Sequence, residues 1–287
     1  MLKFAKFVIS SMLASLLLCS FVAQAEDEIK IGIMQDQSGD AQKYKPLMKY
    51  LESKGIETQL VSAPSYSRAA KMFSSGQIDA MFSGSGVAGT MIIKGLAKPV
   101  VRPVSGDGNS TYWAVIVAAK GAPKFNGNAG YFQGKRVIYT ALASSGEIYY
   151  HSLPGSKSNV NTTILRAPSH GAALRSLNLG KADVAIVKNR VWDKERAEYG
   201  DLVKVGEDTG ENPDNSLIVS AKMDDKMAKK LADTLLEMNA DNSELARQAF
   251  GSLGVKSFIR TTAKDFEHNL SMLKRAGIDE SFDFTFN

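Results

Sequence analysis

The stretch that begins Pro64-Ser65-Tyr66 lies over the one that begins Pro168-Ser169-His170 without a gap, and the register holds as far as Asp79 over Asp183. Along it Ala69 meets Ala173, Lys71 meets Arg175 and Gly76 meets Gly180. In each copy a strand-like run (56–61 and 163–165) enters Pro-Ser, a helix of about three turns follows, and Gly-x-x-Asp opens another strand. A chain that carries one strand–helix–strand unit twice in fixed register is expected to fold as two similar halves. Two unrelated βαβ crossovers of one parallel sheet would share the element order, but nothing in them would demand the common register.

The rest of the chain extends both halves. Strand 29–33, helix 43–54, a helix from Val87 and a strand near Val100 fill out the first; the strand Arg136 to Thr140 opens the second. Strands that alternate with amphipathic helices imply parallel sheets covered on both faces, so the fold class is α/β. The apolar strand 112–118 leaves the first half, and the strand 216–220 returns to it after a polar stretch. Beyond it only helices are expected, at 224–238, 243–251 and 263–276. The expected organisation is therefore lobe 1 from 26–117 and 217–287, lobe 2 from 118–216, and a two-strand hinge with a ligand cleft between the lobes.

Residues 1–25 read as a secretory signal peptide: Lys3 and Lys6, an apolar run from Phe7 to Val22, then Ala23-Gln24-Ala25 before the acidic Glu26-Asp27-Glu28. Cleavage is expected after Ala25, which places the protein in the periplasm; lipid attachment at Cys19 is the alternative, disfavoured by Leu18 before it. Cys19 is the chain's single cysteine, so disulfides, thiolate metal sites and cysteine nucleophiles are excluded after cleavage. The formal net charge of +5 is spread without basic runs or interleaved aromatics, which argues against a nucleic-acid partner. The chain is expected to act as a monomer without a cofactor.

Ligands of parallel sheets sit beyond the carboxyl ends of the strands, where helix N-termini present unpaired amides. Four loops of this kind stand out. One holds Ser83-Gly84-Ser85-Gly86, one holds Ala143-Ser144-Ser145-Gly146, and the duplicated pair carries Tyr66 and His170. Across a cleft these would offer hydroxyls, a phenol, an imidazole and helix amides, a donor set suited to an oxyanion. His170 is expected to be the cationic member. The run Gly84-Ser85-Gly86-Val87-Ala88-Gly89 matches a dinucleotide fingerprint, but no acid closes a second strand about twenty residues on, so it reads as a tight strand-to-helix turn or one wall of the anion site. His151 and His268 have no neighbour at metal-ligand spacing and read as surface residues, and no metal site is expected. Met72, Met81, Met91, Trp113 and Trp192 read as packing.

Several segments in order resemble the phosphonate/phosphate/phosphite-binding subunits of bacterial ABC importers, the PhnD-like group of type II periplasmic binding proteins. Tyr44-Lys45-Pro46-Leu47-Met48-Lys49-Tyr50-Leu51 looks like the family's early helix. Ser65-Tyr66 through Asp79 is similar to its tyrosine loop, Gly134-Lys135-Arg136-Val137 to the approach to its phosphonate loop, and Ser169-His170 through Asp183 to its histidine loop. The resemblance implies that the phosphonyl oxygens meet a Ser-Thr-Ser-Gly loop, here Ala143 through Gly146, and the loop histidine, here His170. Ala143 and Ser144 depart from that pattern and remove one hydroxyl. Members that take aminoalkylphosphonates surround the ammonium with acids, whereas this chain has Lys188-Asn189-Arg190 after the strand 182–187, which argues against a cationic ligand tail. Were such a tail bound, Asp36, Asp40 or Asp107 would be the first acids to examine.

The function implied is capture of a small oxyanion for an ABC permease in the inner membrane, with Tyr66, Ser83, Ser85, Ser144, Ser145, Gly146, His170 and Lys188 as ligand-binding residues and no catalysis. A sensory subunit of the same fold that signals to a membrane histidine kinase is the main alternative. A serine hydrolase using Ser144 or Ser145 with His170 is the weaker one, since neither serine lies in a Gly-x-Ser-x-Gly elbow.

Overall fold

The computed structural model describes residues 28–34, 40–140 and 144–284. The expected signal segment with Cys19 and Ala25, together with Asp36 and Ala143, lies outside the described residues, as do the side chains of Asp40 and Tyr66.

In chain order the first half runs β1 (Ile29–Met34), α1 (Lys45–Ser53), β2 (Thr58–Ala63), α2 (Tyr66–Ser74), β3 (Ala80–Ser83), α3 (Ser85–Ile93) and β4 (Ala97–Ser105). A short strand β5 (Thr111–Tyr112) leads to β6 (Ala114–Ala119), β7 (Arg136–Thr140), α4 (Ser145–Ser152), β8 (Thr163–Ala167), α5 (His170–Asn178), β9 (Val184–Lys188), α6 (Asn189–Glu195) and β10 (Leu202–Glu207). The chain returns through β11 (Asn212–Pro213) and β12 (Ser216–Ser220), then α7 (Asp225–Glu237), α8 (Glu244–Leu253), β13 (Val255–Arg260) and α9 (Glu267–Arg275).

The strands form a sheet in the order β13-β4-β12-β3-β1-β2 and a second in the order β10-β6-β9-β7-β8. In each, three parallel strands (β2-β1-β3 and β8-β7-β9) are extended by an antiparallel strand delivered from across the molecule, β12 beside β3 and β6 beside β9. The duplication persists down to single hydrogen bonds. Ser65 and Ser169 cap α2 and α5 by accepting from Arg68 N and Ala172 N, both at 3.2 Å. Gly76 and Gly180 close those helices in the left-handed region (φ 73° and 68°), which a side chain would disfavour. Asp79 and Asp183 then accept from the amides of Lys30 (2.9 Å) and Arg136 (2.7 Å), pinning the strand that follows to the middle strand of its parallel trio.

Two expectations change. Residues 255–260 form a strand where only helices were expected: β13 pairs with β4 at the sheet edge and buries Phe258 alone, so its sequence lacks the apolar alternation of a half-buried strand. The boundary expected at 117/118 would divide β6, which pairs along its length with β9 and β10. The chain passes between sheets through β5 and β11, which pair with each other as an antiparallel ribbon. At two residues each these strands are too short to show periodicity in sequence.

Core packing follows the sheets. One apolar cluster joins α1, α7 and α8 to the first sheet through Leu47, Leu51, Leu217, Leu231 and Leu235, and another packs Leu174, Leu177, Val187 and Trp192 on the second. α9 packs against both α3 and α4, so the C-terminal helix touches both halves.

Candidate functional site

β12 enters the first sheet opposite Ser83, and β6 enters the second opposite Lys188, so the ribbon lies where the carboxyl ends of both parallel sets converge. There the molecule has a cleft of about 900 Å³, lined from the first half by Tyr44, Phe82 and Gly84, from the second by Lys188 and Arg190, and from the return crossing by Asp214 and Asn215. Asn215 adopts a left-handed backbone (φ 42°), a conformation asparagine tolerates better than most side chains, and donates through Nδ2 to Tyr44 Oη at 2.8 Å.

In the second half, Thr140 ends β7, Ser145 begins α4 and His170 begins α5, all at the carboxyl ends of two paired parallel strands, and His170 lies close enough to Lys188 and Asp214 of the cleft to feel both charges. Thr140 Oγ1, Ser145 Oγ and His170 Nδ1 are sealed from solvent, and none has a hydrogen-bond partner among the described residues. Buried polar groups are normally paired, so three orphans at two neighbouring helix starts mark a place that something else completes. The first amides of α4 and α5 likewise have no partner within their helices.

The expected residues divide by this geometry. Ser145 and His170 are among the orphans. Ser144 is spent on local structure: it caps α4 by accepting from Glu147 N (3.2 Å) and donates to Thr140 O. Gly146 serves close packing, since a Cβ there would meet Ile186 O at 2.4 Å and Tyr139 Cβ at 2.9 Å. Ser83 is fully buried and donates to Gly84 O (3.1 Å). Ser85 is buried beside the β5/β11 ribbon, where its hydroxyl bonds Tyr112 Oη and accepts from Asn269 Nδ2 (3.3 Å). Asn269 also donates to Asn212 Oδ1 (3.0 Å), so this network ties both ribbon strands to α3 and α9. The fingerprint-like Gly84-to-Gly89 run is a strand-to-helix turn, and Gly89 lets α9 approach, a Cβ there meeting Asn269 Oδ1 at 2.1 Å. Tyr66 begins α2 at the position His170 holds in α5.

Lys188 lines the cleft, but it is not a free cation. Its Nζ lies 2.6 Å from Asp214 Oδ1 and 4.1 Å from the Tyr112 ring centroid, and Arg190 Nη1 bonds Asp214 Oδ2. Burial pulls the Asp214 carboxyl upward, yet the two cations overcome it and hold it below the usual carboxylate range. His170 departs from expectation: burial, then the Lys188 charge, pushes its pKa from 6.5 down to about 3, with Asp214 opposing only in part, so it is a neutral imidazole. The sequence shows the histidine but not its enclosure. Glu147, 2% exposed in the first turn of α4, is paired with Arg166 at 3.2 Å and so does not leave a bare negative charge by the orphans.

Sequence reasoning passed over Thr140 and Asp214. In sequence Thr140 is only the end of a strand, and Asp214 lies in a polar stretch with no motif around it. His151 and His268 are half-buried rather than freely exposed: burial pushes His151 down to about 4, and His268 Nε2 lies 2.9 Å from Asp208 Oδ2. Ser145 Oγ makes no bond to His170, and Ser144 Oγ is engaged by Thr140 and Glu147, so neither serine is set up as a nucleophile. Among the described residues no three His, Cys, Asp or Glu converge as metal ligands, and no helix is long and apolar enough to cross a membrane.

The family model described as the periplasmic substrate-binding protein of phosphonate ABC transporters matches residues 31–266. Comparison with curated protein sequences returns no match. Among solved structures, a Xanthomonas citri protein bound to chloride aligns with a TM-score of 0.72 at 17% identity, covering 87% of this chain and 98% of its own. PhnD1 of Prochlorococcus marinus in complex with methylphosphonate aligns with a TM-score of 0.67 at 15% identity, covering 87% and 98%. The binding-protein component of a Pseudomonas aeruginosa ABC phosphonate transporter aligns with a TM-score of 0.64 at 15% identity, covering 86% of each chain. The fold is that of type II periplasmic binding proteins.

Proposed function

The chain belongs to the family of periplasmic substrate-binding proteins of ABC phosphonate transporters, and from that premise we propose that it captures a small oxyanion of the phosphonate, phosphate or phosphite type between its lobes for delivery to an inner-membrane permease. Substrate-binding proteins of this family are not enzymes; they bind a solute and pass it on unchanged. In this reading lobe 1 comprises the first sheet and the C-terminal helices, lobe 2 the second sheet, and the β5/β11 ribbon is the hinge.

The observation that carries the ligand class is the trio of buried, unpartnered polar atoms, Thr140 Oγ1, Ser145 Oγ and His170 Nδ1, beside two helix N-termini. Hydroxyls, a neutral imidazole and free amides can all donate, and a tetrahedral oxyanion accepts from several directions at once. Tyr66 begins α2 at the position equivalent to His170, which makes it the first candidate from lobe 1, and the Lys188 charge adds attraction. Micromolar affinity requires about 8 kcal/mol. Hydrogen bonds to a charged group supply about 1.5–3 kcal/mol each, so a handful reaches that value after ordering costs, without a metal.

Titration calorimetry of the purified protein with methylphosphonate, phosphite and phosphate tests this. At least one should bind at micromolar concentration or below, and Ser145→Ala and His170→Ala should each weaken it by about tenfold or more without lowering the melting temperature of the free protein. Binding of none of the three, or wild-type affinity in both variants, would overturn the assignment.

A further inference from the structure

Asp214 lines the cleft with a largely buried carboxylate, and the Tyr112 ring lies buried behind it, close enough that Lys188 Nζ spans both. A carboxylate and an aromatic face are the two protein features that most favour an ammonium group. Here the protein fills both itself. Lys188 Nζ sits on Asp214 Oδ1 at 2.6 Å and over the Tyr112 ring at 4.1 Å, while Arg190 takes Oδ2. Arg190 also lies 4.0 Å from Asp107 on the exposed loop that precedes β5, a second and more solvated acid.

We infer that Lys188 occupies, from within the chain, the place that the ammonium group of a zwitterionic ligand would need, so that the cleft admits oxyanions without a cation of their own and rejects those that carry one. The inference rests on the oxyanion reading and adds which members of that class are taken. A ligand ammonium could reach Asp214 only by displacing Lys188, which would then be a buried cation without its partner. It would also face the charges of Lys188 and Arg190 with Asp214 already neutralised. A ligand with a short apolar tail or none meets neither obstacle. Lys188 thereby serves twice, attracting the anion and blocking the cation, and a single substitution should separate the two roles.

The test compares methylphosphonate with 2-aminoethylphosphonate, which share the phosphonyl group and differ in the amine, by calorimetry on wild type, Lys188→Met and Lys188→Met/Asp214→Asn. Wild type should bind methylphosphonate at least about tenfold more tightly. Lys188→Met keeps the apolar stem and frees Asp214 Oδ1 and the Tyr112 face, so the ratio should move by about tenfold or more toward the amine, and Asp214→Asn should reverse that gain. Lys188→Gln serves the same purpose should the methionine variant melt more than a few degrees lower. Tighter binding of the amine by wild type, or an unmoved ratio in a folded Lys188 variant that still binds methylphosphonate, overturns this inference alone. Failure of wild type and variants to bind either probe overturns the oxyanion reading and takes this inference with it.

Discussion

His170 gives the sharpest quantitative test, and it needs no ligand. In the folded chain its pKa falls from 6.5 to about 3, burial being the larger cause and the Lys188 charge the second. The unfolded chain therefore binds one more proton than the folded chain between those two values, and stability rises with pH across that window. The contribution is nil above the unfolded pKa and becomes a growing loss as pH falls below it. At pH 5 the unfolded state is favoured by about 1.5 pH units of protonation, or ~2 kcal/mol. His170 as a whole residue is half-buried, which brings the figure toward ~1 kcal/mol. The assay is urea denaturation of the ligand-free protein at pH 7.5 and pH 5.0, for wild type and for His170→Asn, which keeps a polar atom near Nδ1 and removes the titration. Carboxylates and His151 lower the stability of both proteins on acidification, so the quantity that matters is the difference. Wild type should lose ~1–2 kcal/mol more than His170→Asn between the two pH values. Equal losses would refute the reasoning, since His170 would then titrate in the native state as it does in the unfolded one.

The same neutrality bears on binding. The affinity for a monoanionic phosphonate ester should stay flat between pH 6 and 8, because the neutral His170 has no charge to lose; a fall across that range would show that the bound anion recharges the imidazole. At Gly146, replacement by alanine sets a Cβ 2.4 Å from a backbone oxygen that cannot step aside, so thermal unfolding should reveal a loss of about 1–3 kcal/mol, and an unchanged melting temperature would mean that α4 stands off from β9.

What the sequence made legible was periodic or repeated. The register of Pro64 over Pro168 foretold two equivalent helices between strands, and their equivalent caps, left-handed glycines and aspartate contacts follow because these are local features whose causes lie within a few residues. The strand 216–220 was legible for the same reason, as a short apolar run between polar segments. Features set by distant partners were not. β13 exists because β4 offers it an edge, and the ribbon because β5 and β11 meet across the intervening second sheet. Ser85 shares its residue type with Ser145, yet it is consumed by Tyr112 and Asn269, and only the return of α9 against α3 decides that. Asp214 illustrates the limit best. Loops near strand ends suggested Asp36, Asp40 or Asp107 as acids, while the one that meets Lys188 and Arg190 lies in the crossing itself.

The charges at the cleft also bear on which anions it can hold. Two cations, Lys188 and Arg190, share the single buried carboxylate of Asp214, and Asp107 stands 4.0 Å from Arg190 on an exposed loop where water screens it. The enclosed part of the site thus carries one positive charge in excess, while His170 adds none. One monoanion balances it. A dianion would leave one negative charge enclosed, and the nearest group able to answer is the His170 imidazole, at the energetic cost of protonating a ring whose pKa lies near 3. Under the oxyanion proposal, the excess charge would favour ligands that are singly charged at neutral pH, such as a phosphonate monoester. For a dianion, proton uptake on binding would reveal His170 answering the second charge, whereas a monoanion bound as proposed would need only the Thr140 and Ser145 hydroxyls and a neutral imidazole as donors.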